Sequence, residues 1–128
     1  MANGYVLSKG AVQTFLIELK TILNRKDSKL IIIERDDKKS GYNLSDCRAE
    51  LGIDNNDIKE YLKGLTLHNY IETCDDEKNL KSKKYYIFGL EIKNKEIYIK
   101  IKIQSYDKRI VLCMSFHYAE YKLKFPYK

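Results

Sequence analysis

Proline occurs once and glycine six times in 128 residues. So little of either, beside 44% hydrophobic residues, excludes a collagen-like or disordered chain. Long apolar runs are missing too. The longest is the five residues Ile110–Met114, far short of a membrane-spanning helix. The first twenty residues hold no apolar core followed by a small-residue cleavage site, so no secretory signal is expected and the cytoplasm is the expected compartment. The three cysteines (Cys47, Cys74, Cys113) are odd in number and widely spaced, which gives no disulfide framework. They read as buried apolar fillers in a reducing compartment. With no C-x-x-C pair and only His68 and His117 as histidines, neither a metal nor a cofactor is expected. No P-loop, dinucleotide glycine pattern or serine nucleophile elbow is present.

Acidic residues are scarce in one region only. Residues 1–80 hold 12 Lys/Arg against 14 Asp/Glu, whereas residues 81–128 hold 12 against four. The net charge of +6 is therefore confined to the last third of the chain. That asymmetry suits an anionic partner, either nucleic acid or an acidic protein. An AT-rich coding bias also fits, given 20 lysines, four arginines and 15 isoleucines.

Val12, Phe15, Leu16, Leu19, Ile22 and Leu23 recur at helical spacing, which predicts an amphipathic helix over 8–25 with Ser8 as its cap. Leu30–Ile33 predicts a short buried strand within 29–35, and 36–41 a loop. Residues 43–51 predict a short helix ended by Gly52; Asp54 caps another through Leu65. The polar stretch 75–84 predicts a long loop. Beyond it the period becomes two. Residues 84–93, 96–104 and 109–117 read as three strands joined by Asn94-Lys95 and by 105–108, an antiparallel meander. The expected architecture is one α+β domain over 1–128, N-terminal helices packed on a C-terminal antiparallel sheet.

The strand 96–104 alternates without error, with Ile97, Ile99, Ile101 and Ile103 on one side and Tyr98, Lys100, Lys102 and Gln104 on the other. A four-residue loop predicts position 104 opposite 109, and 98 opposite 115. Ile110, Leu112, Met114 and Phe116 would then lie beside the isoleucines. The other face collects Tyr98, Lys100, Lys102, Arg109, Ser115 and His117. Metal-free RNA cleavage needs a base for the ribose 2′-hydroxyl, cations over the phosphorane and an acid for the departing oxygen. An imidazole can fill either proton role. Lys, Tyr and Gln are also ordinary on the wet face of an antiparallel sheet. Tyr85, Tyr86, Tyr118, Tyr121 and Tyr127 suit base stacking or simple cover for the sheet. Asp75-Asp76-Glu77 lacks calcium-loop spacing and reads as a solvated loop.

The order of these elements resembles the MqsR family, RelE-like messenger-RNA endoribonucleases that are toxins of bacterial type II toxin–antitoxin pairs. The matching pieces are the helix Asp57–Leu65 leading through Thr66 to Tyr70, then Tyr86-Ile87-Phe88-Gly89, Glu96–Lys102 and Cys113-Met114-Ser115-Phe116. Together they cover about residues 42–117. The resemblance implies metal-independent cleavage by tyrosine and lysine side chains on the sheet, with messenger RNA and an antitoxin protein as partners and no membrane. It matches Tyr98 to the family's sheet tyrosine and Tyr70 to the tyrosine after the helix; the sheet face itself adds Lys100 and His117 as expected catalytic residues, with Lys102, Arg109, Gln104 and Ser115 toward the RNA. Ile71 and His117 stand where the best-known member has lysine, and the tail after Tyr118 extends past the match. Whether a ribosome presents the substrate is left open. So are a non-catalytic nucleic-acid-binding module and a protein docking an acidic partner through its basic sheet.

Overall fold

The structure, a computed structural model, describes residues 4–34, 40–75, 84–104 and 109–128. Helix α1 (Lys9–Leu23) starts where the Ser8 side chain accepts from the Ala11 amide and buries all six predicted apolar residues. Strand β1 is Lys29–Ile32. Helix α2 (Leu44–Leu51) is capped by Asn43 and ended by Gly52, whose φ of 69° is left-handed. Helix α3 (Asn55–Lys63) opens on a reciprocal capping box, Asp54 with Asp57, and stops at Gly64. A 3₁₀ turn (Leu67–Asn69) leads into β2 (Tyr70–Cys74), then β3 (Tyr85–Ile92), β4 (Lys95–Ile103) and β5 (Ile110–Tyr118). The turn from β3 to β4 is Lys93-Asn94, both with positive φ, one position earlier than expected. The loops expected at 36–41, 75–84 and 105–108 lie largely outside the described residues.

The five strands form one sheet in the order β1-β5-β4-β3-β2. The predicted meander of β3, β4 and β5 is antiparallel, and β2 extends it. Strand β1 instead joins β5 in parallel, so the sheet is mixed rather than purely antiparallel. All three helices lie on one face. Phe15 of α1 stacks on Tyr86 at 3.7 Å, Tyr61 of α3 meets Phe116 at 6.4 Å, and Glu50 of α2 accepts from the Tyr118 hydroxyl at 3.0 Å. Between helices and sheet lies the core, including Ile97, Ile99 and Ile101, all 0% exposed.

The register of β5 differs from the expected one. Ile103 lies opposite Val111 and Ile101 opposite Cys113, one step from the predicted pairing. A bulge at Met114 then adds a second step, so Ile99 meets Phe116 and Tyr98 meets His117. Val111, Cys113 and Phe116 line the core, while Ile110, Leu112 and Met114, expected beside the isoleucines, are only half-buried. The physical reason is plain. Ile110–Met114 is apolar on both sides, so alternation cannot choose its register. The bulge inverts the facing of everything after it. Without it, Ser115 and His117 would point into the core.

Candidate functional site

The face away from the helices is organised in rows across the strands. One row is His117, Tyr98 and Gly89. The next is Ser115, Lys100, Ile87 and Glu72. In the third, Leu112 faces Lys102, whose ammonium reaches the ring of Tyr85, and Cys74 faces Tyr85. Successive rows are about 7 Å apart, because residues i and i+2 share a face.

This face is not simply wet. Lys102, Ser115 and His117 are buried, and Tyr98, Lys100 and Tyr85 are half-buried. The Tyr98 and His117 rings stack at 5.4 Å with their planes 19° apart. His117 Nδ1 is 2.9 Å from the Tyr118 carbonyl oxygen. A carbonyl only accepts, so Nδ1 carries the hydrogen and Nε2 is the basic ring nitrogen. Burial pushes the Tyr98 hydroxyl up to about 12, with Cys74 and Glu72 adding to the shift. At neutral pH it is a proton donor, not a base. The ammonium groups of Lys100 and Lys102 sit 4.7 and 5.1 Å from the Tyr85 ring centroid. The ring's negative π-cloud attracts both cations, each contact worth about 1 kcal/mol. The imidazole and phenol thus share one row, with Lys100 one row and Lys102 two rows away along the same face. Such a line of groups can meet successive phosphates and move protons at one of them.

The structure thus brings together Tyr98, Lys100, Lys102, Ser115 and His117 from the expected set. Tyr70 is not among them. It is fully buried on the helical side, where its hydroxyl lies 2.8 Å from Thr73 Oγ1 and accepts from the Leu7 amide at 3.1 Å. Its ring edge meets Phe88, so Tyr70 is a structural rivet rather than part of this face. Arg109 is also misplaced in the expected site. It stands at the start of β5, eight residues or roughly 25 Å from His117, and pairs with Asp27 at 3.8 Å. Gln104 is at that same distant end, its backbone amide bonded to the Ile110 carbonyl.

Among the members of the rows that were not read from the sequence as site residues, two carry a phenol or a carboxylate. Tyr85 was expected only to stack or cover; its role follows from the β3–β4 register. Glu72 went unnoticed because the short edge strand β2 was not expected at all. Two clefts of about 650 Å³ each lie elsewhere, one lined by Ser45, Arg48 and Asn55, the other by Lys95, Glu96 and Tyr121. Among the described residues no group of three His, Cys, Asp or Glu side chains is placed to hold a metal, and no helix is long and apolar enough to cross a membrane. No family model, curated protein or solved structure matches the chain.

Proposed function

We propose that the protein is an endoribonuclease that cleaves messenger RNA without a metal ion, the toxin of a type II toxin–antitoxin pair similar to the MqsR family. The observation that carries this reading is the stacked Tyr98–His117 pair one row from Lys100, itself held over Tyr85. In this mechanism His117 Nε2 takes the ribose 2′-hydroxyl proton as the 2′-oxygen attacks phosphorus. Lys100, one row away, stabilises the charge on the phosphorane, and Lys102, two rows away, meets a neighbouring phosphate. The bond to the 5′-oxygen breaks, and the Tyr98 phenol protonates that oxygen. The products are a 2′,3′-cyclic phosphate and a 5′-hydroxyl. The cell would need an antitoxin protein to restrain this activity, and the cytoplasm is where the message is met.

The test is single-stranded RNA incubated with the purified protein in excess EDTA, followed by end-group analysis. Cyclic-phosphate ends that disappear with His117→Ala are expected. Equal cleavage by wild type and H117A would remove His117 from the mechanism. One observation favours a second reading, a module that binds RNA without cutting it: His117 is only 9% exposed. That module would bind RNA in a salt-sensitive manner and leave it intact.

A further inference from the structure

The ten residues after β5 make a specific path. The Ala119 amide bonds to the Glu96 carbonyl, and the Leu123 amide bonds to Glu96 Oε1 at 3.0 Å. The segment then crosses β3 at Gly89. A Cβ placed on Gly89 would sit 2.5 Å from Leu123 Cδ1 and 3.1 Å from the Phe125 ring, too close for any side chain there. Beyond this crossing, Tyr127 stacks on Tyr70 at 6.0 Å and its hydroxyl donates to the Leu7 carbonyl at 2.5 Å. His68 Nδ1 lies 2.9 Å from the Tyr127 carbonyl. Leu123, Phe125 and Tyr127 are half-buried, while Lys122, Lys124, Pro126 and Lys128 between them are exposed. From Lys122 to Phe125 the tail therefore lies extended, one side inward at a period of two, before a turn at Pro126-Tyr127.

Gly89 is the register partner of Tyr98, and Tyr98 is the partner of His117. Leu123 and Phe125 consequently fill the place beside Tyr98 that a β3 side chain would hold. We infer that residues 119–128 are an autoinhibitory strap: they occupy the substrate's place at the Tyr98–His117 row, and RNA gains that row when the strap lifts. The strap is anchored by three inward side chains and a few hydrogen bonds, and it belongs to no strand of the sheet. Past Ala119, whose amide bonds to β4, it can leave without breaking a ladder. This inference rests on the ribonuclease reading for its substrate, but the exposure of His117 can be measured without RNA.

The experiment uses the full chain with Leu123→Ser, Phe125→Ser and Tyr127→Ser combined, none of which touches the proposed chemistry. Reaction of His117 with diethyl pyrocarbonate is followed by mass spectrometry against N-acetylhistidine in the same tube, and RNA cleavage is followed in parallel. Wild-type His117 should react slowly, and the triple variant should raise both its reactivity and the cleavage rate at least about tenfold, since both scale with the open fraction. Faster modification without any cleavage would keep the strap and remove the ribonuclease reading. Unchanged His117 reactivity would overturn the strap. Should the triple variant fail to fold, Tyr127→Phe removes only the hydroxyl anchor. A rise of a few-fold in that variant supports the strap, and no rise overturns it.

Discussion

The two faces of the sheet are built by alternate residues of the same strands, yet they do different work. On the helical side of β4, Ile97, Ile99 and Ile101 are sealed among apolar neighbours. One residue away, Tyr98, Lys100 and Lys102 are shielded as well, but by polar and aromatic partners. Burying polar groups costs free energy unless they find partners, whereas apolar burial is favourable in itself. The first face therefore holds the fold, and the second keeps polar groups that packing alone would not select. Substitutions on the two faces should separate stability from chemistry.

The largest effect is expected on the helical face. Phe88→Ala, at a fully buried position, should cost about 3–5 kcal/mol in urea unfolding. On the opposite face His117→Gln should lower RNA cleavage by roughly 10²–10⁴-fold while the unfolding midpoint moves much less. A variant in which stability and cleavage fell together would erase the distinction. Lys100→Ala should weaken RNA binding and lower the slope of log affinity against log salt by about 0.7, the share of one phosphate contact on a single strand. An unchanged slope would take Lys100 off the RNA path.

The smallest effect is a matter of pH. Tyr98 titrates near 12 in the folded chain against 10 unfolded, so the native state keeps its proton where the unfolded state loses it. Its contribution to stability is complete below pH 10 and disappears as pH rises through 12. Tyr118 behaves alike, pushed up to about 12 by burial and by Glu50. Tyr98→Phe should therefore lose less stability than wild type between pH 10 and 12, measured by denaturant unfolding at both ends of that window.

Much of the fold is legible in the chain. Ser8 and Asp54 cap the helices they were expected to cap, because a side-chain oxygen before an apolar-periodic run has one obvious use. The faultless alternation of 96–104 likewise fixes which side of β4 faces the core. What the pattern leaves open is physical too. The apolar run 110–114 fits either register, and no local signal marks the bulge at Met114 that turns His117 outward. The expected grouping of Tyr98 with His117 on one face is observed, but through a slip and a bulge rather than the simple register. Strand β2 is five residues at an edge, and the parallel seat of β1 depends on partners far along the chain. Tyr70 illustrates the remaining gap: proximity to a helix end in sequence says nothing about which side of the sheet a ring will occupy.

The junction at Tyr70 also bears on the order in which the molecule assembles. Leu7 donates to the Tyr70 hydroxyl and accepts from Tyr127, which ties together segments 120 positions apart. Contacts of such separation close a long loop before they return any stabilisation, so they form late. The meander and helices would then be in place before the two ends meet over Tyr70. Weakening that stitch should hasten unfolding and leave the folding rate nearly untouched, since stabilisation gained after the transition state acts on escape from the native state alone.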